Sequence, residues 1–382
     1  MKAKRRRTTI LPENQTDSLG EDLLNDDHDS ALPDSLPPSE EVLKTEEDVV
    51  SKEPKSFLLP GIVITFLIAI AVLVIANTDW FRRGPAQSPA SSPIPARYSG
   101  ERSFKYLKAL CDFGPRPSGS AAMSEQQNAL KDFFTKAGAT VQMQSFQIRH
   151  PQDGSNVTLS NLIASFNLKA AKRFLVCAHY DTRPFPDRDA TNPTGVFVGA
   201  NDGASGTAGL MELANQMGDL PADVGVDLVM FDDEEFVFQQ GRDDYFLGST
   251  FFAKKYAQAP PTTAYQAGIL LDMIGDKELT LYYERNSMRY ARSVAKSVWR
   301  TADKLGVRAF ISRSRRGAID DDHIPLNEFA KIPTIDIIDF DYPRAGVGAP
   351  SYWHTEKDVP ANCSGESIAA VVWVVHEWIK SQ

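Results

Sequence analysis

"VDLVMFDDEE", residues 226–235, decides how the chain reads. An apolar run broken only by Asp227 stops at four consecutive acids. A short run of that kind is a strand buried on both faces, and the acids mark its carboxyl end. The same pattern recurs outward in both directions. "RFLVCAHYD" (173–181), "AGILLDMIG" (267–275) and "IPTIDIIDF" (332–340) are β-rich runs that close on polar or acidic residues. "TVQMQSFQIRH" (140–150) alternates, as a half-exposed strand does. Between the strands lie helical stretches: "SFKYLKALCDFG" (103–114), "MSEQQNALKDFFTKAG" (123–138), "ASGTAGLMELANQMGD" (204–219) and "GSTFFAKKYA" (248–257). "RYARSVAKSVWRTADKLG" (289–306) predicts one long helix, and "GESIAAVVWVVHEWIK" (365–380) a closing one. Alternating strands and helices predict an α/β domain: a three-layer α/β/α sandwich around a mostly parallel central sheet.

In such sheets ligands gather beyond the carboxyl ends of the strands. The strand through Val176 delivers His179 and Asp181 to that edge, and the strand through Met230 delivers Asp232 to Glu235. The strand through Leu271 delivers Asp272. Asp202 opens the helix after "GAN", and His354 lies between the last strand and the closing helix. Imidazole and carboxylate groups crowded at a buried edge need compensation, and a divalent metal supplies it. Nitrogen and oxygen donors without thiolate suit zinc in an open catalytic site. In the pair Glu234–Glu235 one carboxylate can bind metal while its neighbour acts as general base. Taken singly, each motif has a blander reading: a strand-end histidine, a solvated acidic turn, or helix N-caps at Asp202 and in "DDDHIP" (320–325). The set of five together is hard to reach by chance.

"CAHYDTRP", "GANDGASGTAGLMELA", "FDDEEF", "LLDMIG", "DDHIPL" and "YWHTEKD" resemble the zinc aminopeptidase superfamily. Within it the chain is most similar to the glutaminyl-peptide cyclotransferases, particularly the bacterial enzymes of animal type, over roughly residues 100 to 380. "GANDGASG" is common to both groups, whereas "DDHIP" with "WHT" points to the cyclases. The resemblance implies a zinc-exopeptidase-like fold and one zinc held by Asp202, Glu235 and His354. It implies Glu234 as acid/base, hydrogen-bonded with Asp272 and Asp321, and Trp353 as a wall of the substrate pocket. The substrates would be peptides or proteins with N-terminal glutamine, converted to pyroglutamate with release of ammonia. His179 and Asp181 match positions that help bind a second metal in the peptidases. A two-zinc aminopeptidase using His179, Asp202, Glu235, Asp272 and His354 is therefore the rival reading. A receptor-like domain that has lost catalysis fits poorly, because no ligand is missing. The chain departs from the animal cyclases in "FVFQQGRDDYF" (236–246), which has no tryptophan. Phe236, Phe238, Tyr245 and Phe246 are the candidates to stand in for it. Before "YWHT", Val347 occupies the position where an aromatic is expected from bacterial relatives.

Ahead of this domain the chain changes character. "MKAKRRR" is basic, and the stretch to residue 56 is acidic and poor in aromatics, which predicts disorder. From Phe57 follow about 20 residues without a charge, enough for a membrane helix over 57–78. The distant "KRRR" tips the positive-inside balance toward a cytoplasmic N-terminus and a catalytic domain outside the membrane, periplasmic or extracellular. Residues 79–99, rich in Pro and Ser, read as a spacer before a catalytic domain at 100–382. The net charge of −9 argues against nucleic acid as a partner. The three cysteines, Cys111, Cys177 and Cys363, form no CxxC motif; Cys177 reads as core, and nothing favours a Cys111–Cys363 disulfide.

Overall fold

The computed structural model describes residues 88–340 and 352–382. The tail at 1–56, the membrane helix at 57–78 and Val347 lie outside the described residues. Among those described, no helix is long and apolar enough to cross a membrane.

Among the described residues, eight strands and eight α-helices follow one another: α1 (Gly100–Cys111), α2 (Ala121–Lys136), β1 (Thr140–Arg149), β2 (Asn156–Phe166), β3 (Lys172–His179), α3 (Ala204–Ala214), β4 (Val224–Phe231), α4 (Leu247–Gln258), β5 (Tyr265–Asp272), β6 (Leu281–Tyr283), α5 (Arg285–Tyr290), α6 (Arg292–Leu305), β7 (Phe310–Ser314), α7 (His323–Glu328), β8 (Thr334–Ile338) and α8 (Gly365–Lys380). Six strands form one sheet in the order β1-β2-β4-β3-β5-β8, and β6 pairs with β7 apart from it. β4, β3, β5 and β8 run parallel, while β2 is antiparallel to both β1 and β4. The sheet is thus mixed: a parallel core with an antiparallel hairpin at one edge. β2 was not apparent in the sequence because it buries Ser160 and Asn161 among its apolar residues.

Alternate residues of the parallel strands face two different cores. Phe174, Val176 and Ala178 of β3 join Val226, Leu228 and Met230 of β4 beneath α3 and α8. Leu175 and Cys177, with Val229 and Phe231, face Phe252 and Ala253 of α4 and Leu326 of α7. Helices on both faces are the three layers that the strand–helix alternation predicts. They also explain why these strands carry apolar residues at nearly every position. Cys177 is fully buried in the second core, and all three cysteines are free.

Two expectations need correction. The long helix read over 289–306 is broken at Ala291 (φ −136°, ψ 42°), so that Tyr290 closes α5 and Arg292 opens α6. α5 is held locally by Glu284, which caps its first turn, and by a tertiary contact in which Ser287 Oγ accepts from Asp336 N in β8. The spacer read over 79–99 is also not free throughout. Ala90 bridges Val307, Ser91 N donates to Gly306 O, and Tyr98 is buried with its hydroxyl 2.7 Å from His376 Nδ1.

Register carries this architecture to the site. His179 sits level with Phe231, Cys177 pairs with Leu270, and Asp272 pairs with Ile338. The four parallel strands therefore end at one height, and their polar termini share one edge.

Candidate metal centre and active site

Asp202 precedes α3 in a turn held from below by Asp358, whose carboxylate accepts from Asn201 N (2.7 Å) and Asp202 N (3.0 Å). The turn needs Gly203, which has φ +94°; a Cβ there would lie 2.6 Å from Asp181 O. Beyond β4 the chain turns at Asp233, in the left-handed region at φ 59°. Glu234 N and Glu235 N both donate to Asp181, at 3.1 Å each. Glu235 Oε1 accepts from Arg183 N at 2.8 Å. His354, also left-handed at φ 56°, enters from the loop after β8. Its Nδ1 lies 3.0 Å from Asp187 Oδ1. Left-handed backbone at non-glycine residues is costly and concentrates at functional sites.

These segments bring Asp202, Glu235 and His354 together, with one donor atom of each within 4.8 Å of the others. His354 Nε2 is 3.5 Å from Asp202 Oδ2 and 3.3 Å from Glu235 Oε2. All three are buried. With Asp187 accepting from Nδ1–H, the neutral ring would present Nε2 as the metal donor. Asp202 Oδ2 has no hydrogen-bond partner. Two carboxylates and a neutral imidazole leave the cluster with two negative charges that a divalent cation would balance. Two oxygens and one nitrogen, fixed from behind and lacking thiolate, fit zinc with an open position. Burial disfavours a charged His354, but hydrogen bonds to Asp187 and Glu235 outweigh it and raise its pKa. Burial and the charge of Asp202 push Glu235 up to about 7 against the pull of His354.

Glu234 lines the same cavity, of about 480 Å³, with Asp202, Glu235, Asp272, Asp321, Trp353 and His354. Its pKa is raised by burial first, then by the carboxylates of Glu235, Asp321 and Asp322, against His179. Burial and the charge of Asp272 raise Asp321 likewise. The direct hydrogen bonds expected among Glu234, Asp272 and Asp321 do not occur among the described contacts. Asp272 Oδ1 instead meets His179 Nε2 at 3.2 Å, and Asp321 Oδ1 accepts from Asp322 N. His179 is brought to the site too, with Nε2 3.2 Å from Asp202 Oδ1, so that His179, Asp202 and Asp272 form a second ligand-type triad. Asp181 does not face the cavity; it ties the two glutamates' backbone. Asp232 is drawn away by Ser118 Oγ (2.6 Å) and Ser160 N (2.8 Å).

The Trp353 ring lies tilted against His354 (ring centroids 3.9 Å) and edge-on to Phe340 (4.8 Å). Of the four aromatics offered for the missing tryptophan, Tyr245 and Phe246 line the cavity. Phe236 and Phe238 pack on each other and on His150 instead. The supporting residues Asp187, Asp358 and Arg183 went unread in the sequence. Asp187 and His354 are 167 positions apart, and neither Asp187 nor Asp358 stands at a strand end.

A model of peptidase family M28 matches residues 161–379, more than half the chain, and the chain belongs to that family. Among curated relatives, the glutaminyl-peptide cyclotransferase of Bothrops jararaca is 29% identical over 263 residues, covering 61% of this chain and 67% of that one. Among solved structures, Fimbriiglobus ruber glutaminyl cyclase is 37% identical with a TM-score of 0.70, covering 78% of this chain and 99% of that one. A Zn-dependent exopeptidase from Parabacteroides distasonis is 34% identical with a TM-score of 0.69, covering 76% and 100%. The fold is thus that of the zinc exopeptidases, with the described sheet as its centre.

Proposed function

We propose that this chain is a zinc-dependent glutaminyl-peptide cyclotransferase that converts N-terminal glutamine to pyroglutamate. The observation that carries the reading is the meeting of Asp202, Glu235 and His354 in one cavity with a spare glutamate, Glu234. The similarity to glutaminyl cyclases supports the substrate class. One zinc, held by these three side chains, would supply Lewis-acid polarisation of the γ-amide carbonyl. The substrate's α-amine attacks its own γ-carbonyl carbon; a C–N bond forms and the bond to the amide nitrogen breaks. Glu234 takes the proton from the attacking amine and returns it to the leaving nitrogen, which departs as ammonia. Its environment of burial and neighbouring acids favours holding that proton between the two steps. Asp321 is among the acids that raise the proton affinity of Glu234, and Asp272 raises Asp321 in turn. Trp353 supplies the apolar wall that orients the glutamine side chain, and both reactants sit in one residue, so proximity is built in.

The Glu234→Gln enzyme should keep its zinc and lose at least about 100-fold in ammonia release. Turnover near wild type in a zinc-replete Glu234→Gln protein would overturn the assignment.

A second reading, a two-zinc aminopeptidase, is favoured by the triad His179, Asp202 and Asp272. Against it, the similarity to glutaminyl-peptide cyclotransferases supports the first reading. Zinc content separates the two: one ion per chain for cyclisation, two for hydrolysis.

The uncharged run at 57–78 supports a single-pass anchor with the catalytic domain on the extracytoplasmic side. Protease added outside right-side-out vesicles should digest the domain; protection there would reverse the orientation.

A further inference from the structure

The cavity carries one positive charge that the cyclisation step does not use. Arg188 lines it at the rim, exposed, with its guanidinium lying over the Trp353 ring at 4.1 Å from the centroid. Its backbone N–H donates to His354 O (3.1 Å), which ties it to the ligand loop. Its guanidinium has no carboxylate within ion-pair distance among the described residues. The other arginine of the cavity, Arg183, is committed: it is buried and forked onto Asp187 through Nε and Nη2, at 2.9 Å each. Asp320, also in the lining, receives a hydrogen bond from Asn286 Nδ2 (3.3 Å) and does not pair with Arg188.

A guanidinium stacked on an aromatic face keeps its edge N–H groups free to fork onto a carboxylate. The Trp353 centroid lies 3.9 Å from the His354 centroid and 4.1 Å from the Arg188 guanidinium carbon, so the metal-ligand ring and the free charge are separated by a breadth of at most 8.0 Å, the sum of the two. A peptide whose first residue reacts beside Glu234 covers that breadth within its next one or two residues, at roughly 3.5 Å each.

We propose that Arg188 is a specificity-determining residue that selects peptides with a carboxylate one or two residues after the N-terminal glutamine. The carboxylate is either an acidic side chain or the C-terminus of a very short peptide. The proposal rests on the cyclase reading for the position of the first residue, and the test separates the two. Three peptides distinguish the carboxylate sources: Gln-Glu-amide (side chain), Gln-Ala with a free C-terminus (terminal), and Gln-Ala-amide (neither). Ammonia release gives kcat and KM, and calorimetry on the zinc-loaded enzyme gives Kd whether or not turnover occurs. At low salt, wild type should favour at least one carboxylate peptide over Gln-Ala-amide by about fivefold, mostly in KM and Kd. The ratio should fall toward one in Arg188→Gln, stay partly in Arg188→Lys, and shrink with added salt. Equal affinity for all three peptides in wild type, or an unchanged ratio in Arg188→Gln, would overturn the proposal. Carboxylate-dependent binding without ammonia from any peptide would instead contradict the cyclase reading and leave the role of Arg188 standing.

Discussion

His354 shows how one residue's chemistry is set by what stands behind it. Asp187 binds Nδ1, and this fixes Nε2 as the side that faces Asp202 and Glu235. Asp187 is itself kept ionised: burial works against its charge, but the His354 hydrogen bond and the Arg183 charge lower its pKa to about 2. Such partners orient a metal-binding imidazole and raise its basicity. Asp187→Asn should therefore weaken zinc binding by roughly 10- to 100-fold, read by competition with a chelator of known affinity, while the fold persists. Unchanged zinc affinity would mean that Asp187 serves only Arg183. At this scale the sequence was informative about Glu234, Glu235 and Asp272, which end or directly follow strands, about Asp202, which opens a helix, and about His354, which lies between the last strand and the closing helix. It was silent on Asp187 and Asp358, which act on the ligands through space from positions without periodicity.

At the scale of elements, α3 and β5 must approach closely for Asp202 and Asp272 to share an edge. Gly206 permits it: a Cβ there would lie 2.2 Å from Leu271 O. Gly206→Ala forces the helix off the strand, and a destabilisation of about 1–3 kcal/mol is expected from urea unfolding, with weakened zinc binding alongside. A stability equal to wild type would show that the helix has room to shift. α8 offers a second test. His376 is fully buried, and burial lowers its pKa to about 4. The unfolded chain binds this proton below about 6.5 and the folded one only near 4. The linked stability is therefore complete above the unfolded value and is lost as pH falls through that window, by up to about 3 kcal/mol. His376→Gln should flatten that part of the stability–pH curve; an unchanged slope between pH 6.5 and 4 would assign the acid sensitivity elsewhere. The parallel strands were legible because a short apolar run with a polar end fits little besides a strand buried on both faces. β2 was hidden by polar residues that are buried for a purpose: Asn161 Oδ1 accepts from Asp232 N, and Asn161 Nδ2 donates to Gly248 O. The break at Ala291 has no proline or glycine to announce it.

For the whole molecule, the sheet is a device that brings segments far apart in sequence to one edge, where their charges require a cation. Chelating the zinc should lower Tm and readdition should restore it, since a ligand bound only by the folded state stabilises it. A Tm indifferent to zinc would argue that the three side chains do not form the metal centre. The class of fold and the general location of the site could be read from strand–helix alternation. The antiparallel edge and the docking of residues 88–99 could not, because both depend on partners remote in sequence. The most direct measurement of the central claim incubates the zinc-loaded enzyme with Gln-Ala and Leu-Ala peptides and follows ammonia and free amino acids together. The account predicts ammonia and pyroglutamyl-alanine from the first and nothing from the second, with activity lost on chelation. Free leucine or glutamine without ammonia would contradict it.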